Sequence, residues 1–254
     1  MSRKCAYCLQ NKKLTKEHIW PKCIINRMPE LGLKFLDSKK IVTDSELVIS
    51  DVCSECNNKH LSPLDSYICS LYDKYFINFI EEKRPFIFEY NYDLLLRTFL
   101  KITFNSSRTV TRIDNVFEKF RNYILYGNEI HENIIIKLDI VTPTLLNGEK
   151  YYPKSARCGT ICIKENSDKY ILRALSINSY YFYIIIFKDE HITGEVAERE
   201  YWDIFNNIPG TIIHPYREKI IVNQFSTEDT YSIHHEHLTT NNEYYEKYLN
   251  KNNR

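Results

Sequence analysis

The run Leu14-Thr15-Lys16-Glu17-His18-Ile19-Trp20 decides how this chain is read. Cys5-Ala6-Tyr7-Cys8 precedes it, and Cys53-Ser54-Glu55-Cys56-Asn57-Asn58-Lys59-His60 follows it. The two Cys-x-x-Cys pairs offer four thiolates, the set that a tetrahedral structural Zn²⁺ takes. Cys5, Cys8, Cys53 and Cys56 are therefore the expected zinc ligands. Residues 9–52 separate the pairs, far more than the about 15–20 of a simple zinc ribbon. Two strand-like runs fill that gap: 14–20, ended by Pro21, and Glu46-Leu47-Val48-Ile49-Ser50-Asp51-Val52. Successive side chains of a strand point to opposite faces, so Glu17 and His18 are expected on opposite sides.

The chain of 254 residues has room for one large domain or two small ones. Its 34 basic and 33 acidic residues leave a net charge of +1, so attraction to a polyanion must come from local clusters. Arg3, Lys4, Lys12, Lys13, Lys16 and Lys22 form one around the first knuckle. Such a cluster suits either a solvated face or phosphate contacts. The spacing of the eight cysteines does not suit a secreted disulfide scaffold. Cys69 and Cys162 lie in apolar surroundings that suit buried free thiols. No apolar leader follows Ser2-Arg3-Lys4, and the longest apolar run, 180–187, is too short for a bilayer, which needs roughly 20 residues. The expectation is a cytoplasmic protein with no membrane association.

Ser54 suits the N-cap of a short helix carrying Asn57, Asn58 and His60. Pro63 is expected to interrupt or restart it, with Ser62-Pro63-Leu64-Asp65 as a start signal and Asp65 a capping acid. Leu64, Ile68, Leu71, Tyr72, Tyr75 and Phe79 recur at helical spacing, which predicts a helix to about residue 83. Arg84-Pro85-Phe86 marks a boundary. Asn91 caps a helix over 92–106, and Asp114 caps another over 115–126, closed by Gly127. Strands are expected over 132–141, 156–163, 170–177, 180–187 and 219–225, with Asn178-Ser179 as a tight hairpin turn. A polar helix or frayed tail is expected over 241–250.

Four thiolates leave zinc no open coordination position, so any chemistry needs a second centre. The remaining hard ligands are Glu17, Asn57 and His60. Carboxylate and amide oxygens suit Mg²⁺ or Mn²⁺, and an added imidazole shifts the preference toward Mn²⁺. Lys16 and Lys59 are candidate phosphate contacts, with a solvated lysine as the plain alternative at Lys59. His235 and His237, within His234-His235-Glu236-His237, suit either a transition ion or a solvated edge.

Together, Cys5-x-x-Cys8, Glu17-His18-Ile19-x-Pro21 and Cys53-x-x-Cys56-Asn57 resemble the HNH endonuclease family. The closest likeness is to its zinc-bearing branch, which includes phage junction-resolving endonucleases. The resemblance spans about residues 5–65. It implies an α+β protein, with a zinc-stabilised ββα-metal domain over 1–83. A C-terminal accessory domain of mixed helix and antiparallel sheet would cover 84–254. It further implies a catalytic divalent cation on Glu17 and Asn57, with His60 as a further ligand or supporting group, and His18 as general base. The implied reaction is hydrolysis of DNA, with RNA not excluded, leaving a 5′-phosphate and a 3′-hydroxyl. Glu17 stands where Asp or His is more usual, and the common Gly-Gly turn is missing. Nucleases of this type often act as bacterial anti-phage effectors beside an ATPase or sensor protein, which makes such a partner an expectation here. The rival reading is a non-catalytic zinc-knuckle module that binds nucleic acid or protein.

Overall fold

The computed structural model describes residues 4–29, 34–36, 39–109, 115–127, 131–146, 148–161, 168–226 and 242–252. The run His234-His235-Glu236-His237, Cys162 and the Asp114 cap lie outside them. Mixed helices and antiparallel sheets make up the fold, as expected.

Strand β1 (Leu14–His18) leads into a short helix, α1 (Lys22–Arg27), and a hairpin of β2 (Lys34–Leu36) and β3 (Ile41–Thr43). Strand β4 (Val48–Cys53) then returns antiparallel to β1. Thr15 pairs with Val52 and Glu17 with Ile49, so Ser50 and Asp51 together oppose Lys16. This bulge on β4 adds local twist beside the dipeptide Glu17-His18.

A helical rod follows in three parts: π-helical turns over Cys56–Leu61, α2 (Ser62–Leu71), and π-helical turns over Tyr72–Phe76. The expected restart falls at Ser62, where the π-helical turns give way to α2 with Pro63 in its first turn, and the rod continues without interruption. The Ser62 N–H reaches back five residues to the Asn57 carbonyl. This wider turn leaves room for a proline ring that would crowd a tighter α-turn, and Pro63 has no N–H to satisfy. Neither Ser62 nor Asp65 caps a helix start here. The rod stops at Phe76 rather than near residue 83, where the Asn178 amide donates to the Phe76 carbonyl at 2.7 Å. Cys69, expected as a free thiol, is disulfide-bonded to Cys23, with Cα atoms 6.3 Å apart. Its apolar setting was legible from its neighbours, whereas the partner arrives only when α1 docks on the rod.

Strand β5 (Phe86–Glu89) precedes α3 (Tyr92–Ser107), capped by Asn91, whose side chain accepts from the Leu94 N–H at 3.0 Å. A 3₁₀ stretch over Asn115–Phe120 continues into α4 (Arg121–Tyr126), closed by Gly127 at φ 71°. Then come β6 (Ile134–Ile140), the small hairpin of β7 (Thr144–Leu146) and β8 (Glu149–Tyr151), β9 (Ala156–Ile161), β10 (Tyr170–Ile177) and β11 (Tyr180–Phe187). Helices α5 (Gly194–Glu200) and α6 (Trp202–Asn207) precede β12 (Thr211–Ile213) and β13 (Lys219–Val222). A terminal helix covers Asn242–Asn252. The main sheet is antiparallel in the order β12-β6-β11-β10-β9, and Asn178 turns the β10–β11 hairpin at φ 48°. Strand β13 ends earlier than expected and pairs with β5, outside the main sheet.

Every residue of β11 is buried, because both faces of the sheet are covered. One face meets α3 and the rod, with Phe182 against Phe99 and Tyr180 against Phe76 at ring separations of 4.7 and 4.8 Å. The other meets the α5 region, where Phe187 lies 5.1 Å from Tyr201. The larger core runs from Cys5, Tyr7 and Val52 through Leu64 and Phe99 to Ile184 and Val222, so residues on both sides of position 84 share it. Among the described residues, no helix is long and apolar enough to cross a membrane.

Within β6, Asp139 has no exposed surface. Burial pushes its carboxyl from 3.8 up to about 6, against the opposing pull of the Ile140 amide and the Lys137 ammonium. Between those two values the unfolded chain has lost the proton and the folded chain keeps it. This group's contribution to stability therefore falls as pH rises through that window. The change is about 3 kcal/mol for roughly two pKa units. The stability difference between Asp139→Asn and the wild type should shift by that amount in favour of the variant from pH 3.5 to 7, measured by urea denaturation. Carboxylates elsewhere cancel in the difference. A pH-independent difference would refute the assignment.

Candidate metal centre and strand-end histidine

The bulged hairpin and the start of the rod bring the two knuckles together. The four Sγ atoms of Cys5, Cys8, Cys53 and Cys56 all lie within 4.8 Å of one another. Cys8 and Cys53 sulfurs are 3.8 Å apart, matching the edge of about 3.8 Å of a tetrahedron with bonds of about 2.3 Å. The Cys53 N–H donates to the Cys5 sulfur at 3.3 Å, and the Ala6 N–H donates to the Asp51 carbonyl at 2.8 Å. Burial pushes the Cys5 thiol up, but the amides of Cys53, Cys8 and Tyr7 outweigh it and bring it to about 7. Burial pushes Cys8 up, and burial with the neighbouring thiols pushes Cys56 up further. A cation held among the four sulfurs favours every thiolate at once. The cluster can hold a metal ion such as zinc.

Thr15 and Glu17 face inward from β1, toward the rod. The Asn57 amide donates to the Thr15 hydroxyl at 3.1 Å and to the Lys16 carbonyl at 3.0 Å. Asn57 thus clamps the peptide that leads into Glu17. Glu17 is buried, and its carboxylate lies 2.6 Å from the Lys101 ammonium of α3. Lys101 also reaches Asp65 of α2 at 2.5 Å. Burial pushes the Glu17 carboxyl up, and Lys101 offsets this only in part.

His18 faces the other way, as strand alternation requires. Its Nε2 lies 3.2 Å from the Glu46 carboxylate, and its side chain is one-fifth exposed, at 20%. The His18 carbonyl accepts from the Asn105 amide of α3 at 3.2 Å. Asn105 is itself fixed, because its oxygen accepts from the Tyr7 hydroxyl at 2.6 Å and from Arg108 at 3.1 Å. The His18 imidazole beside Glu46 holds that carboxyl below its usual range, with Lys22 and Lys16 adding to the effect. Those two lysines therefore act on the same patch as the histidine.

Comparison with protein-family models, with curated proteins and with solved structures returned no match.

The structure separates the expected site residues outside the four cysteines into four places. Asn57 and Glu17 lie at the interface of β1 with the rod. His18 lies on the outer face, near the exposed side chain of Lys16. His60 turns elsewhere: its ring packs edge-on against Tyr126 of α4, centroids 5.0 Å apart. Lys59 is exposed on the first π-turn. Among the described residues, the four cysteines are the one group of three or more His, Cys, Asp or Glu side chains close enough to hold a metal ion. The donors expected for a second, divalent cation do not fit one as arranged. Glu17 carries an ammonium and His60 packs on an aromatic ring, while Asn57 anchors the strand through its Nδ2 and could offer a metal only its Oδ1.

Three residues around the dipeptide escaped sequence reasoning, Glu46, Lys101 and Asn105, and Asp65 was expected as a cap but meets Lys101. Lys101 did leave a signal. It sits among Leu95, Leu96, Phe99, Leu100, Ile102 and Phe104 on a helix apolar on most sides, and such a helix is buried. A lysine there must find an accepting partner inside the fold.

Proposed function

We propose that this chain is a zinc-stabilised nuclease of the ββα type that hydrolyses a phosphodiester bond, with His18 as general base. The observation supporting this most directly is that His18 is held at two points, its ring by Glu46 and its carbonyl by Asn105. It projects from the end of a strand anchored beside a four-cysteine cluster. With Nε2 on Glu46, Nδ1 is left for a water. The adjacent carboxylate favours the imidazolium that forms when His18 takes the proton. Lys16 and Lys22, which share the patch, would draw the scissile phosphate, and Lys59 would meet a neighbouring one. Zinc on Cys5, Cys8, Cys53 and Cys56 would supply architecture, since four thiolates leave no place for substrate.

DNA is the first substrate to test, beside RNA. Zinc-loaded protein is incubated with plasmid, single-stranded DNA and RNA, with and without added divalent ions. His18→Ala should lower cleavage by about 10²–10⁴-fold, with zinc content and circular dichroism unchanged. Equal cleavage by the variant would remove His18 as the base.

One observation favours a second reading. The ammonium of Lys101 on Glu17 suits a non-catalytic zinc-knuckle module that binds nucleic acid or protein. That module would cut nothing, and its salt-sensitive binding would survive His18→Ala. A role in anti-phage defence beside an ATPase or sensor protein extends the nuclease reading. It is tested by whether His18→Ala abolishes protection in a plaque assay.

A further inference from the structure

The Glu17–Lys101–Asp65 group ties three elements at one point. Lys101 comes from α3, Glu17 from β1 and Asp65 from α2. Its ammonium lies 2.6 Å from one carboxylate and 2.5 Å from the other. The lysine side chain has 0% exposure, Glu17 6% and Asp65 27%. Two carboxylates converging on one point are what a hard divalent cation seeks. Here the point belongs to a primary amine. That amine is held away from solvent, because Lys101 has no exposed surface and its α3 neighbours Thr98, Leu100, Ile102 and Phe104 are buried as well. A divalent ion arriving at Glu17 would meet a fixed like charge at contact distance, in surroundings where screening is weak.

We infer that Lys101 is the resident cation of this site. Its ammonium takes the position between Glu17 and Asp65, excludes divalent ions from Glu17, and holds the β1 end in place. Replacing it by a neutral side chain would convert the two carboxylates into a Mg²⁺- or Mn²⁺-binding pair. Lys101 is on this account a positioning residue, not a catalytic one. Its bearing on catalysis rests on the nuclease reading above, in that cleavage would need no added divalent ion at Glu17.

The test measures Mn²⁺ binding, independently of cleavage. Full-length zinc-loaded protein is titrated with Mn²⁺ and the free ion is followed by electron paramagnetic resonance. The wild type should bind no stoichiometric Mn²⁺ at Glu17, and Glu17→Gln should leave its titration unchanged. Lys101→Met should bind one Mn²⁺ per chain, and adding Glu17→Gln should abolish that binding. The inference is overturned if the wild type binds one Mn²⁺ that Glu17→Gln removes, or if folded Lys101→Met binds none. Should Lys101→Met fail to retain zinc or helicity, the wild-type and Glu17→Gln titrations decide alone. His18→Ala should leave all these titrations unchanged, so loss of the nuclease reading and loss of this one are told apart.

Discussion

Removing the metal from the four-cysteine cluster, by chelation or by Cys53→Ser, is expected to cost this protein most of its stability. Apparent binding free energies of structural zinc reach about 10–16 kcal/mol in zinc-finger peptides, as large as the whole stability of an ordinary domain. The cluster is no appendage here. Cys5, Cys53 and Cys56 are buried members of the larger core, next to Tyr7, Val52 and Leu61. Loss of the cation would leave four clustered sulfurs without the ion that ties them together, at the point where β4 enters the rod. Disorder would pass along two routes. One is the Asn57 clamp on β1, and the other is Tyr7, which holds Asn105 and through it the His18 carbonyl. Elemental analysis should give one zinc per chain, and chelated protein should melt far below the metal-loaded form. The apparent affinity should fall with decreasing pH, because protons compete for each thiolate. Protein that is zinc-free as purified, with an unshifted melting temperature after chelation, would refute the metal centre.

Lys101→Ala should be strongly destabilising, by about 3–5 kcal/mol. It strands Glu17, which is buried and already pushed toward protonation by its surroundings. The carboxylate of Asp65 would face it across the gap. Asp65 is partly exposed, so water softens its share of the cost, and the lower end of that range is the better expectation. The double replacement Lys101→Met with Glu17→Gln should recover much of the loss, because apolar or neutral substitutes for a whole buried ion pair are far less costly than half of one. Urea unfolding of Lys101→Met, of Glu17→Gln and of the double variant forms a cycle that measures the coupling directly. A Lys101→Ala loss below about 1 kcal/mol would place the pair in the class of screened surface contacts.

Where these groups could be read from sequence, the signal was local. The two Cys-x-x-Cys pairs carry their own ligand geometry, and they meet as that geometry requires. Alternation in 14–18 put Glu17 and His18 on opposite faces. Asn91 announced the start of α3, and the apolar runs ended by Asn178-Ser179 announced the β10–β11 hairpin. Pro63 marked the start of α2 but no interruption of the rod, because the chain enters that helix from a wider turn. Asp65 had the position of a cap, yet it serves a lysine 36 positions later.

By itself, the sequence determined the thiolate set, the strand bearing the acid and the histidine, the mixed helical and antiparallel class, and the helix capped by Asn91. Tertiary structure alone decided which charges meet: Lys101 with Glu17 and Asp65, Glu46 with His18, Cys23 with Cys69, and His60 with Tyr126. The physical reason is that burial compels a charged or polar group to find a partner without naming it. The choice falls to whichever complementary group the packing of distant elements delivers.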